Sequence, residues 1–238
     1  MQKYKYEEMF PDEFLEAVKK IPVFFVPTGL LEWHADHLPL GQDSMKAHGI
    51  CMAIAEKLGG GIVLPPNYIG RPGFSTYTGT LTYSEACVNL MFYEMFYQLK
   101  KVGAKAIVLI TGHYGPLQVD CIKRVAENFS RENPEIFVIA QPEYEGVDVD
   151  GAIPADHAGI WETSMFWHLH PDLVRKDTIR QVPDKMKIYQ QPPNDYYKES
   201  DTWEWHNDVF SSNPELGNKA INNIAIHISG IIKEKLGK

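Results

Sequence analysis

Glu32, His34, Asp43 and His113 are residues of this chain whose types and spacing could do chemistry together. Glu32 and His34 follow closely on an apolar run, Ile21 to Val26 (IPVFFV). His113 stands just past a second one, Ala106 to Ile110 (AIVLI). Spaced i, i+2, Glu32 and His34 point to one side of an extended segment. Asp43 lies where the next helix should begin, and it either caps free N–H groups there or reaches inward to a cation. Imidazole and carboxylate groups together suit zinc, manganese or iron(II), and no thiolate is at hand to favour a softer ion. Taken singly, either histidine is more often structural, Asp43 more often a cap and Glu32 more often a solvated charge. Their combination at two strand ends is what favours a site.

Positioning these groups requires a particular scaffold. Both apolar runs read as buried strands, as do Ile62 to Leu64 and Ile136 to Ala140. Between them, helical spacing runs from Asp43 to Leu58, stopped by Gly59-Gly60-Gly61, from Ser84-Glu85 to about Val102, and from Val119 to Phe129. Strand–helix–strand repetition with apolar strands predicts a parallel α/β sheet covered on both faces. Ligands bind such sheets outside the carboxyl ends of the strands, which is the edge where Glu32, His34 and His113 emerge. Asn67 to Tyr83 is a long polar connection of the kind that forms a lid or binding loop. Another helix is expected from His157 onward through Leu169, and a closing one from Asn218 to Leu236. Residues 180 to 215 resist assignment. The absence of repeats, low-complexity tracts and linkers predicts one domain over 1–238.

Composition narrows the function. With 238 residues, 44% hydrophobic and 12% aromatic, the chain can build a sizeable core. A net charge of −8 argues against nucleic acid or an anionic membrane as partner. The three cysteines form no C-x-x-C pair, which predicts neither a disulfide framework nor a thiolate zinc finger and fits a reducing, cytoplasmic setting. No apolar run approaches the roughly 18 residues of a membrane span, and MQKYKYEEMF is unlike a signal peptide. Neither G-x-x-x-x-G-K-[ST] nor G-x-G-x-x-G occurs, so nucleotide binding lacks support; nor does a G-x-S-x-G elbow.

The run from Pro27 to Asp43, PTGLLEWHADHLPLGQD, resembles the signature of the creatininase (creatinine amidohydrolase) family, approximately P-x-G-S-x-E-Q-H-G-x-H-L-P-L-G-T-D. Thr111-Gly112-His113-Tyr114-Gly115 is similar to that family's N-G-H block, and Asp156 to Ser164, DHAGIWETS, to its H-A-G-x-x-E-T-S block. Gly79-Thr80 and Asn213-Pro214 are weaker echoes. The resemblance implies a three-layer α/β/α sandwich around a mainly parallel sheet, two divalent metal ions and a homo-oligomer, a hexamer by family likeness. Carried over by position, it implies Glu32, His34, Asp43, His113 and Glu162 as ligands, with Asp43 bridging. In creatininase the last carboxylate instead follows N-G-H-Y, where this chain has Gly115. Trp33, Ala35, Gln42, Thr111 and Pro116 also depart from the pattern, and Phe74 stands near where relatives often carry a histidine.

Zinc is the expected ion, with manganese or iron(II) as alternatives. Three carboxylates and one hydroxide balance two divalent cations, so such a cluster can be buried. Coordination lowers the pKa of water from about 15.7 towards roughly 7, and the resulting hydroxide attacks an amide carbonyl. The departing nitrogen needs a proton, for which His157 is the candidate, with Asp156 beside it to orient or relay. His37 is expected to steady a ligand. Trp161, Trp203, Trp205 and His206 either wall a pocket for a flat ring or serve as core or subunit-interface aromatics. The expected activity is hydrolysis of a non-peptide C–N bond in a cyclic amide or formamide, creatinine-like or pyrimidine-derived, with peptide trimming a further activity that the resemblance suggests. The rival expectation is a metal-containing binding or assembly protein without turnover.

Overall fold

The computed structural model describes residues 3–149, 154, 156–179 and 209–237. Four apolar strands, β1 (Val23–Thr28), β2 (Ile62–Val63), β3 (Ala106–Thr111) and β4 (Phe137–Pro142), form one sheet in the order β2-β1-β3-β4. Every pairing is parallel, with Val23 opposite Ala106 and Ala106 opposite Phe137. Parallel strands need long crossovers. These are supplied by α2 (Gln42–Leu58), α3 (Glu85–Lys101) and α4 (Pro116–Glu132). From β1 the chain goes to β2 on one side and then returns to β3 on the other, so the order reverses between β1 and β3. That reversal opens a crevice at the carboxyl ends of these two strands.

Side-chain alternation along the strands separates two cores. Val23 and Phe25 with Val108 and Ile110 face α2, α5 (Ile160–Leu169) and α6 (Pro214–Leu236). Phe24 and Val26 with Ile107 and Leu109 face α3 and α4, where Phe92, Phe96 and Phe129 are fully buried. Each such phenylalanine contributes about 2–3 kcal/mol of transfer free energy. The result is the α/β/α sandwich expected from the sequence.

Prolines lie at several displaced boundaries. The expected strands ended before Pro27 and Pro142, yet Pro27 is the penultimate residue of β1 and Pro142 the last of β4. The helices expected from Val119 and Asn218 begin at Pro116 and Pro214, the first helical position, where proline has no bond to lose. Asn213 caps α6 by accepting the Leu216 N–H at 2.8 Å. The sequence reading missed α1 (Pro11–Lys20). Its Phe14, Ala17 and Val18 lie against the α3/α4 face, and Phe14 stacks on Tyr6 at 4.9 Å. None of its residues is fully buried, so its apolar stripe is narrow. Trp203, Trp205 and His206 lie outside the described residues.

Two glycines should respond oppositely to alanine. A Cβ on Gly112 would meet the Asp43 carbonyl oxygen at 2.2 Å, whereas one on Gly230, exposed on α6, meets nothing within 4 Å. In urea unfolding, Gly112→Ala should lose about 2 kcal/mol and Gly230→Ala gain about 0.5–1 kcal/mol.

Candidate metal centre

Glu32 and His34 lie on the irregular segment after β1, and their backbone is pinned from two sides. Glu32 N–H donates to Leu40 O at 2.8 Å, and Trp33 N–H donates to the Thr80 hydroxyl at 3.0 Å. The Gly79-Thr80 pair thus fixes the residue between the two candidate ligands. Ala35 follows in left-handed backbone at φ 55, a conformation costing a non-glycine residue about 1–2 kcal/mol. Asp43 sits in the first turn of α2; Gly41, not Asp43, holds the cap position, and Asp43 points into the sheet edge. Its backbone can come so close because Gly29 and Gly112, after β1 and β3, lack side chains: a Cβ on Gly29 would stand 2.5 Å from the Asp43 Cβ. His113 follows β3, its N–H donating to the Thr111 hydroxyl at 3.2 Å. Glu162 comes from the first turn of α5.

These five side chains from four segments converge, and all are buried. His34 Nε2 lies 3.0 Å from Asp43 Oδ1 and 3.5 Å from Glu162 Oε2. His113 Nδ1 lies 2.9 Å from Glu32 Oε2 and 3.6 Å from Asp43 Oδ2. Two overlapping triples result, Glu32/Asp43/His113 and His34/Asp43/Glu162, each able to hold an ion, with Asp43 common to both. A third grouping joins Glu32 and His34 to His157. Glu32 Oε2, His34 Nε2 and Asp43 Oδ2 face this convergence without a hydrogen bond of sound geometry. Buried lone pairs so aimed at one another are costly unless a cation sits among them, so the donor set fits divalent metal. The tautomer fits too: His34 Nδ1 donates to the Glu32 carbonyl at 3.0 Å, which leaves Nε2 as the inward lone pair.

Buried together, these groups shift one another's protonation in both directions. Burial opposes charge on His34, but Asp43 and Glu162 overcome it and push the imidazole up to about 10. Burial likewise raises Asp43. Glu32 resists burial because His113, His157 and His34 surround it, and it stays below the usual carboxylate range. His157 goes the other way: burial, then the charge on His34, push it down to about 4. Its Nε2 donates to the Trp33 carbonyl at 2.7 Å, so Nδ1 is left facing Glu32 Oε2 at 3.9 Å.

The connection expected as a lid or binding loop does lie on the site. Phe74 N–H donates to Glu32 Oε1 at 2.7 Å, and a Cβ on Gly73 would overlap that oxygen at 1.7 Å. The Phe74 ring rests 4.1 Å from that of His157, with Trp33 and Tyr77 completing an aromatic wall. Trp161 takes no part in it and packs in the core beside α6. Asp156 accepts the Trp161 N–H at 2.7 Å and the Glu162 N–H at 3.2 Å, anchoring the start of α5. Burial and the neighbouring Glu162 raise its carboxyl to about 7. His37 Nε2 meets the Thr163 hydroxyl at 2.9 Å, next to Glu162.

Sequence reasoning missed Lys46, Tyr114 and Glu143 behind Glu162. Lys46 is fully buried, with Nζ 2.9 Å from Glu162 Oε1 and 3.1 Å from Glu143 Oε1. The signal was present: Lys46 shares the inward stripe of α2 with Asp43, Ile50 and Ile54, where a charge is out of place.

Comparison with known proteins agrees with this geometry. The profile of the Creatininase family, described as creatinine amidohydrolase, matches residues 7–229. The creatinine amidohydrolase of Pseudomonas putida is 25% identical over 181 residues, covering 68% of this chain and 69% of that protein. The mycofactocin precursor peptide peptidase of Mycolicibacterium smegmatis (strain ATCC 700084 / mc(2)155) is 28% identical over 171 residues, covering 67% and 62%; the match thus spans less than two thirds of that relative. A mutant creatininase solved as a Zn-Zn type superposes with a TM-score of 0.80 at 21% identity, covering 98% of both chains. Sheet order, converging ligand types and a match over most of the sequence lead to one conclusion: the chain belongs to the creatininase family of hydrolases acting on C–N bonds.

Proposed function

We propose that this chain is a dinuclear metal-dependent amidohydrolase acting on a non-peptide C–N bond of a small cyclic amide or formamide, creatinine-like or pyrimidine-derived. The observation that carries the proposal is the meeting of two buried ligand triples on a shared Asp43. Glu32, Asp43 and His113 would hold one ion, and His34, Asp43 and Glu162 the other. Zinc is favoured by the imidazole and carboxylate donors and by the Zn-Zn creatininase of the same fold, with manganese or iron(II) compatible with the same donors. When bound, the ions supply Lewis-acid polarisation of the carbonyl and make a water acidic enough to react near neutral pH.

The chain's own groups do the rest. His157 Nε2 is engaged by the Trp33 carbonyl, so the Nδ1 lone pair faces the site, where it would take a proton from the attacking water and return it to the departing nitrogen. Asp156 holds the turn that carries both His157 and Glu162. Trp33 and Phe74 offer flat apolar surface beside His157, which suits a compact planar substrate better than an extended peptide. The Gly73-Phe74 backbone, packed on Glu32, keeps water from the outer side of the centre.

Glu32→Ala should lose at least one of two bound ions by elemental analysis and lose turnover across a panel of cyclic amides and formamides. Unchanged metal content and activity would sink the proposal, and two ions with no turnover in the native protein would point to a binding role instead. His157→Ala should keep both ions while lowering turnover by about 10²–10⁴-fold. Because His34 is protonated at pH 7 before an ion binds and must be neutral afterwards, loading should release about one proton per chain from this residue. Calorimetry in buffers of different ionisation enthalpy reads that release, and affinity should fall as pH is lowered.

A further inference from the structure

Lys46 is a lysine with no exposure, placed one helical turn after Asp43 and directly behind Glu162. Its ammonium has three N–H donors and three partners: the Tyr114 hydroxyl at 2.5 Å, Glu162 Oε1 at 2.9 Å and Glu143 Oε1 at 3.1 Å. Tyr114 in turn donates to Glu143, which closes the cage. The other oxygen of Glu162 accepts the Ala158 N–H at 2.8 Å and lies 3.5 Å from His34 Nε2. Glu162 is therefore gripped asymmetrically. One oxygen is turned back to an ammonium, and the other is turned forward with a lone pair to spare.

We infer that Lys46, caged by Tyr114 and Glu143, is a positioning residue that makes Glu162 present a single oxygen to the ion it shares with His34 and Asp43. This rests on the metal-centre reading above and goes beyond it by assigning unequal support to the two ion positions. Burying an ammonium is costly unless its charge is matched, which Glu143 and Glu162 do here. A core position filled by an apolar side chain would avoid that cost altogether. The ammonium is compact and cannot chelate Glu162 through both oxygens as a guanidinium does. In the Glu32/Asp43/His113 triple, by contrast, Glu32 Oε1 is held by a backbone N–H of the 67–83 connection.

The test uses the full chain loaded with cobalt(II), following ions bound per chain, stepwise affinity and the visible absorption of the cobalt. Lys46→Met retains length and removes the charge. Its expected result is a 10–100-fold loss of affinity for one ion, less than about threefold for the other, and a changed cobalt spectrum from altered coordination. Equal weakening of both ions with an unaltered spectrum would mean a merely structural role and would overturn the inference, as would no change at all. If Lys46→Met fails to fold, Tyr114→Phe loosens the cage without stranding a charge and should give the same selective loss in smaller measure; equal retention of both ions in it overturns the inference. Native protein that binds fewer than two ions would bring down the metal-centre reading first, a failure distinct from that of Lys46 alone.

Discussion

Like charges buried together set the terms for this fold. Glu32, Asp43, Glu143, Asp156 and Glu162 are all removed from water at one edge of the sheet. Among the described residues a single buried lysine, Lys46, stands against them. Desolvation alone would drive these carboxyls to hold protons, and the imidazoles and the ammonium offset that tendency unevenly. A centre of this composition is balanced only when further positive charge enters it. Folding and ion uptake are therefore thermodynamically linked, since whatever binds the native arrangement alone stabilises it.

Holding such groups in place falls to parts of the chain that carry no chemistry. The strand order reverses between β1 and β3, so their ends diverge and leave room for side chains from α2 and α5. Gly29 and Gly112 let the first turn of α2 press against both strand ends. Ala35 and Ala158, in left-handed backbone beside His34 and His157, mark where the chain turns sharply to aim those rings. Strain of this sort persists only where surrounding contacts over-determine the geometry. Here the Thr80, Leu40 and Trp33 hydrogen bonds supply that determination.

Much of this was legible in the amino acids. Apolar runs of β-branched and aromatic residues marked the strands, and the order of strands and helices implied the covered parallel sheet. The edge on which Glu32, His34 and His113 emerge followed from that topology. Glu162 did not: spacing alone gave no reason to connect it with Asp43, and only motif resemblance did so. Two helix starts were placed late, because a residue that breaks a helix interior is equally suited to begin one, as Pro116 and Pro214 do. Helix α1 was missed because a narrow stripe of partly buried residues hardly departs from a polar surface pattern. The cage behind Glu162 lay hidden for another reason. Tyr114 and Glu143 come from different strand ends, and nothing local to Lys46 reveals that they will meet it.

Gly73 divides the covering connection into a part that is constrained and a part that is free to vary. No side chain fits at Gly73 against the Glu32 oxygen, while the neighbouring Phe74 and Tyr77 contribute rings whose exchange would leave that contact intact. Diversification of what the crevice accepts can thus proceed by swapping rings around a backbone that stays where it is. The acid–imidazole assembly beneath would be inherited unchanged while its clientele shifts.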